Sequence, residues 1–446
     1  MKPRQLLPAF GLLLIVLVGA YLRIVAVAET VVDRPLRADA VDYYAYAYNL
    51  KTEGVYSRSP ELLLEPGARR PDLPPDAVRP PGYPVFLMPF VVSPPVLSVV
   101  QRVTAVQAYL GIAVLVLSYA LFRLFLGPAW ALIPTALTAI APHLVSVSTF
   151  LISESLFTVC LLGALVAGAY CVRTGRLGLA IAAGVLIALA ALVRSSGQYL
   201  IVVLAVLLAF HFRGRAGLKL AAGALAGFLL AFSPWLVRNV VTLGSPSDPR
   251  LVINTLHHGM YPGFKYQEQE ESFGYPYQHD PNNEAIGQDL GSVLSELRRR
   301  FAEEPVRHAR WFLLGKPVAF FSWGIVNGAG DIFVSPVERS PYFTEPEFIA
   351  TRSVMKAAYG PLCGLALLVS VLVWWPKFLH LVPEKRARVA QLGSVVVIYF
   401  VALHMVGAPF PRYAIPLQPL IFGLATLMLS SLAVLWRRST PPASAG

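Results

Sequence analysis

Apolar runs of membrane-spanning length recur along the chain near residues 6-27, 103-126, 130-147, 156-172, 177-193, 199-212, 218-241, 359-375, 389-406 and 415-436. Each is long enough, or nearly so with its polar ends, to cross the ~30 Å hydrocarbon core of a bilayer, so the pattern predicts ten transmembrane helices. The first run, Leu6 to Val27, follows Lys2 and Arg4, is long for a signal peptide and has no small-residue cleavage site after it, which makes it a retained span. An eleventh apolar stretch, Trp311 to Trp323, contains Lys316 and Pro317 and would reverse every later loop if it crossed. It is expected at the interface, where Trp and Lys anchors are favoured. Two long polar segments interrupt the runs. They divide the chain into an N-terminal membrane module, 1-241, holding a first external loop at 28-102; an external loop region with an interfacial helix, 242-358; and C-terminal membrane helices with a short tail, 359-446.

Charge then sets the orientation. Arg123; Arg173 and Arg176; Arg213, Arg215 and Lys219; Lys385, Arg386 and Arg388; and the tail residues Arg437 and Arg438 all fall on one side if ten spans alternate. By the positive-inside rule that side is the cytoplasm, which holds both termini, and 28-102 and 242-358 lie outside. Composition agrees: 56% of residues are hydrophobic and 14% charged, with mean hydropathy +0.60, far from a soluble domain. The formal charge of +12 comes from clusters between apolar runs rather than one basic face, which argues against a nucleic-acid partner and for membrane lipids. Cys160, Cys171 and Cys363 lie in or at the end of apolar stretches without metal-ligand spacing, so neither disulfides nor a metal site is indicated. No phosphate-binding glycine loop, dinucleotide fingerprint, zinc-protease helix or serine-hydrolase elbow occurs, and there is no Asp-x-Asp for holding a nucleotide sugar through a metal. Any sugar donor is therefore expected to be membrane-borne.

The candidate chemistry gathers at external membrane boundaries. The run from Asp39 to Leu50 has helical spacing, with Tyr43, Ala47 and Leu50 on one face and Asp39 a turn before Tyr43. Asp39 has two readings: a carboxylate that opens a helix, or one tuned as a base at the poorly solvated lipid boundary. Arg79 precedes a stiff turn, Pro80-Pro81-Gly82-Tyr83-Pro84, and either snorkels to headgroups or contacts substrate. Glu154 opens the fourth span; Arg194, Arg238 and Arg412 sit at the outer ends of the fifth, seventh and tenth spans, the last followed by Tyr413. Singly these residues are helix caps, ion pairs or interfacial anchors. Together the arginines suit a phosphate at headgroup depth, because guanidinium meets phosphate oxygens in a fixed fork. His404 reads as a packed histidine.

In this order the motifs resemble the GT-C glycosyltransferases, in particular the bacterial family 39-like and aminoarabinose-transferase-like enzymes that use polyprenyl-phosphate-linked sugars. The resemblance rests on Asp39 to Leu50 with Gly54, Tyr56 and Ser57; the Arg79 to Pro84 turn; Ser153-Glu154-Ser155-Leu156; Pro234-Trp235 with Arg238-Asn239; and Arg412-Tyr413 with Pro416 and Pro419. It implies an all-α, polytopic GT-C-like bundle of about ten transmembrane helices with periplasmic juxtamembrane helices, the active site facing the periplasm of a bacterial inner membrane. It implies Asp39 as catalytic base with Asp42 as rival, and Glu154 in the same cavity. Arg79, Arg194, Arg238 and Arg412, with Tyr43, Tyr83 and Tyr413, would bind the lipid phosphate and sugar. The partners implied are a polyprenyl-phosphate-sugar donor and an acceptor lipid, glycan or protein; no cofactor is expected, and a divalent metal is left open but not indicated. Many such enzymes carry a soluble C-terminal domain; this chain ends about ten residues after its last span, so acceptor recognition is expected from 242-358, where Tyr261, Tyr266, Tyr275, Tyr277 and Trp311 offer stacking faces. The alternative is a lipid-linked sugar transporter or flippase, whose polar groups should lie near the bilayer midplane; the charges here gather at one edge.

Overall fold

The computed structural model describes residues 3–60, 73–326 and 330–439; Lys2, counted above among the basic flanks, lies outside them. Helix dominates because the apolar runs can satisfy their backbone only within themselves once they leave water. Among the described residues, eight helices are long and apolar enough to cross a membrane. They are contained in α1 (Pro3–Glu29), α4 (Leu97–Phe125), α7 (Glu154–Thr174), α9 (Leu200–Phe212, extended by a turn from Ser195), α10 (Gly214–Leu243), α15 (Pro346–Leu372), α16 (Glu384–Val406) and α17 (Gln418–Ser439, extended by the 3₁₀ turns Pro411–Leu417). Two further apolar stretches lie among them. Helices α5 (Leu132–Ile140) and α6 (Pro142–Ser146, with the turn Val147–Thr149) form one bent span, and α8 (Leu177–Val193) is a 17-residue apolar helix of about 25 Å. Side-chain contacts fix the ends. Arg194, just past α8, pairs with Glu154 at the start of α7, and Gln107 near the start of α4 bonds the carbonyls of Ser148 and Phe150 past the bent span. Arg386 at the start of α16 reaches the Leu126 carbonyl just past α4. The helices thus run between one end carrying Glu154 and Arg194 and a far end carrying the basic loops.

The expected straight span over 130-147 is broken, and the reason is local. Pro142 has no N–H to offer the Thr138 carbonyl, and the axis turns by 55° at this point. Arg23, fully buried in α1, fills the gap by donating to the carbonyls of Thr138, Ala139 and Gly19 at 2.9–3.2 Å. Close approach elsewhere depends on glycine. A Cβ on Gly184 of α8 would stand 1.9 Å from the Ala224 carbonyl oxygen, and one on Gly227 of α10 would stand 2.3 Å from that of Ile181. The two helices therefore meet backbone to backbone, as small residues permit in lipid.

Outside the bundle, the first loop forms α2 (Asp39–Glu53) and the short α3 (Gly82–Leu87). Helix α2 is buried on every side over Tyr43–Ala47, rather than presenting one apolar stripe to a surface. The segment after α10 forms α11 (Arg250–Gly259), α12 (Leu290–Glu303) and a continuous stretch of α13 (Pro305–Arg310), a π-helical turn and α14 (Lys316–Phe320). This last stretch stays at the site end: Lys316 donates to the Val406 and Gly407 carbonyls at the tip of α16, and Phe320 stacks on His404. Strand β1 (Val31–Val32) pairs antiparallel with β2 (Val337–Arg339) and ties the first loop to the second.

Replacing Gly227 by Val forces α8 and α10 apart. We expect it to lose at least the ~1–3 kcal/mol of an overpacked core, read as a lower melting temperature in detergent. Gly364→Val, at a glycine with nothing within 4 Å, should leave the melt unchanged; equal melts for the two variants would refute the close packing.

Candidate active site

Ala38 turns the chain with a positive φ of 47°, and Asp39 follows as the first residue of α2. It opens that helix, as one of its two readings expects, and it lies in the acidic first turn with Asp42. Its two oxygens are also shared between two guanidiniums: Oδ1 accepts from Arg79 at 2.5 Å and Oδ2 from Arg412 at 2.6 Å. Arg79 also holds Asp42 at 3.1 Å. Arg412 continues to Glu154, its Nε 3.1 Å from Oε1, and Arg194 meets the same oxygen at 2.7 Å. Six charges therefore alternate in one chain, Asp42, Arg79, Asp39, Arg412, Glu154, Arg194, and sum to zero. Residues 39 and 412 come from opposite ends of the sequence.

Rings support the chain from beneath. Tyr413 lies under both Arg194 and Arg412, at 4.8 and 5.6 Å, and Tyr43 under Arg79 at 5.5 Å. Tyr43 also sets its hydroxyl 3.4 Å from Ser153 Oγ, which accepts from Arg194. Tyr83 stands behind Tyr43, edge to face at 4.9 Å; it is fully buried and donates to Gln107. Of the expected donor contacts, Tyr83 is thus a support and not a wall. Arg238 is set apart: it bonds the Asp76 and Tyr56 carbonyls and lies over Tyr56 and Trp235, where it braces the first loop outside the cavity. His404 is packed, as expected, with Nδ1 facing the Phe400 carbonyl.

Exposure grades along the chain of charges. The Glu154 side chain is 1% exposed, Arg412 10% and Asp39 21%, so the array runs from inside the bundle toward a cavity of about 270 Å³. Asp39, Arg79, Arg412 and Tyr413 form one side of that cavity, and the other comes from α11 and the loop after it. Tyr275 and Tyr277, among the expected stacking faces, reach it; Tyr261 and Tyr266 lie in a small separate core, and Trp311 packs on Phe264. Asn254, Thr255 and His258 also line the cavity and were missed, although their spacing on one helix face was readable. Among the described residues no group of three His, Cys, Asp or Glu is placed to hold a metal.

The two aspartates differ electrostatically. Burial alone would raise the Asp39 carboxyl, but the Arg79 and Arg412 guanidiniums outweigh it and hold it well below the ordinary carboxylate range. At Asp42 burial wins over the pull of Arg79, and its pKa rises. While both arginines hold it, Asp39 is ionised and a weak base.

No protein-family model and no curated protein sequence matches the chain. Solved structures do. The oligosaccharyltransferase AglB from Archaeoglobus fulgidus, in complex with an inhibitory peptide and a dolichol-phosphate, aligns with 100% of this chain and 53% of its own at TM-score 0.54 and 15% identity. The Archaeoglobus fulgidus oligosaccharyltransferase tethered to an acceptor peptide aligns with 97% of this chain and 50% of its own at TM-score 0.53 and 15% identity. The chain shares the membrane fold of these structures. It spans about half the length of these archaeal enzymes. ArnT from Cupriavidus metallidurans bound to undecaprenyl phosphate aligns more loosely, at TM-score 0.41 and 15% identity over 94% of this chain and 77% of its own.

Because Glu154 is buried, truncating one of its partners leaves a poorly compensated charge. Arg194→Ala should cost ~3–5 kcal/mol of stability, and adding Glu154→Gln should recover much of it. Thermal or denaturant melts of the two single variants and the double variant test this; strictly additive losses would mean the pair is not coupled.

Proposed function

We propose that the chain is a membrane glycosyltransferase that moves a sugar from a polyprenyl-phosphate-linked donor to an acceptor hydroxyl or amine on the periplasmic face of a bacterial inner membrane. The observation that carries this reading is the alternating array of three carboxylates and three arginines at one end of a GT-C bundle, opening on the cavity. The orientation follows from the far end, where Arg123, Arg173, Arg176, Arg213, Arg215, Lys219, Lys385, Arg386 and Arg388 lie in short loops or at span ends. By the positive-inside rule that end is cytoplasmic.

Asp39 occupies a seat that suits an anion, one oxygen on each of two guanidiniums. A lipid phosphate brings oxygens of the same geometry and takes those two arginines over. Asp39 is then released beside the anomeric carbon with its basicity restored, so the base becomes competent only when a donor is bound. The acceptor's O–H or N–H proton passes to Asp39 as its heteroatom attacks the anomeric carbon. The bond from that carbon to the phosphate oxygen breaks with its electron pair, giving inversion in a single displacement. Charge grows on the departing phosphate, and Arg79 and Arg412, already in place, stabilise it more in the transition state than in the ground state. Glu154 and Arg194 keep Arg412 aimed. The scheme routes no step through a metal or other cofactor.

Two measurements test the reading. In membranes of a strain lacking the protein, complementation with Asp39→Asn should leave one sugar modification missing, its transfer down by a factor of about 10² to 10⁴. The same variant, purified in lipid nanodiscs, should bind undecaprenyl phosphate more tightly than wild type, because the competing carboxylate charge is gone. Near-normal transfer by Asp39→Asn, or a lipid-linked sugar stranded on the cytoplasmic side with the glycan profile unchanged, would overturn the proposal in favour of a flippase. Orientation is checked separately: a cysteine at exposed Glu271 should react with an impermeant maleimide applied from outside, and one at exposed Lys385 only after permeabilisation.

A further inference from the structure

The cavity has two chemically different sides, and the proposed donor chemistry uses only one. Opposite the charged array, α11 presents Leu251, Asn254, Thr255 and His258 at i, i+3, i+4 and i+7, a single helix face without a charged residue. Tyr275 and Tyr277 stand beside it, their rings 5.5 and 4.7 Å from that of His258. The polar groups here are neutral and available. Asn254 is exposed, Tyr275 is 37% exposed, and His258 donates from Nε2 to the Gly274 carbonyl at 2.6 Å. That bond fixes the tautomer and leaves a lone pair on Nδ1. Burial lowers the His258 pKa to about 4, so the ring stays neutral at ordinary pH.

The surface is also held in place from behind. On the opposite face of α11, Ile253 packs with Tyr261, Ile286 and Val293. His257 bonds Tyr261, Tyr261 bonds Asp280, and Asp280 is paired with Arg300 of α12 at 2.8 Å. A preformed concave surface that combines ring faces with neutral hydrogen-bonding groups suits a polyhydroxylated ligand.

We propose that this face of α11, with Tyr275 and Tyr277, is the acceptor subsite and that the acceptor is an uncharged carbohydrate; the acceptor role rests on the donor reading above. The assignment of sides follows from exposure. A lipid-linked donor enters from the bundle, where Glu154 and Arg412 are buried, whereas α11 belongs to the segment outside the spans and faces the solvent side of the cavity. A charged acceptor would find no counter-charge on this face. An extended peptide would need a strand edge to pair with, and neither of the two described strands lines the cavity.

The test uses the full chain in lipid nanodiscs, with undecaprenyl phosphate as donor-side probe. Acceptor-side probes are neutral gluco-, manno-, galacto- and arabino-oligosaccharides, anionic oligosaccharides and a peptide library. We expect wild type to bind a neutral oligosaccharide, and Asn254→Ala and Tyr275→Ala, both at exposed positions, each to weaken that binding at least tenfold while undecaprenyl phosphate affinity stays unchanged. Wild type that binds undecaprenyl phosphate but no neutral oligosaccharide overturns the inference. So does capture of only peptides or anionic saccharides, or saccharide binding that both substitutions leave intact. Saccharide binding sensitive to both substitutions, in a protein that does not bind undecaprenyl phosphate, supports the subsite while refuting the donor reading.

Discussion

A carboxylate almost wholly removed from solvent in the first turn of a membrane helix must be paired, and much of the site follows from how Glu154 meets that demand. Its oxygen Oε1 holds Arg194 from the end of the neighbouring span and Arg412 from the last one. Arg412 then has a second face to satisfy and takes Asp39 from the first loop. Buried pairing of this kind contributes little net stability, because desolvating the charges offsets most of their attraction. What it supplies is position: breaking any link leaves an uncompensated charge, so the links persist and four distant segments are held at one point.

The same constraint accounts for the state of Asp39. A carboxylate shared by two guanidiniums is a weak base, and a site built only to keep a base ready would not hold it so. In the proposed function the arrangement is an anion seat that the lipid phosphate would take over, and it would limit loss of an activated donor to water, since the base and the leaving-group contacts would become available together. Asp42, lifted in pKa and bound to Arg79 alone, is the less restrained neighbour and would compensate for the change in charge if Arg79 turned to a phosphate.

Hydropathy reports depth, and depth is what was readable in advance. The membrane helices and the gathering of Asp39, Glu154, Arg194 and Arg412 at helix ends follow from one-dimensional pattern. Azimuth around the bundle does not. Arg238 occurs at the same depth as Arg194 and Arg412, yet it faces the carbonyls of Asp76 and Tyr56, because the rotation of its helix is set by the glycine contact with α8 and not by its own hydropathy. Tyr83 had the right neighbourhood and the wrong layer for the same reason. The break at Pro142 was visible as a proline, but its repair by Arg23 lies more than a hundred residues away and leaves no local signal.

The α11 face shows the converse. Asn254, Thr255 and His258 have helical spacing that any reader could see, but a polar helix face outside a membrane normally faces water and needs no further explanation. Meaning comes from the opposite face, where Ile253 and His257 are anchored in the small core braced by Asp280 and Arg300, which turns the polar side inward over the charged array. Both sides of the cavity are thus fixed by paired buried charge, Glu154 with its arginines beneath and Asp280 with Arg300 above. In the proposed reaction donor and acceptor would meet at the junction between the membrane bundle and the folded segment after α10, and their alignment would depend on both sides keeping these pairs.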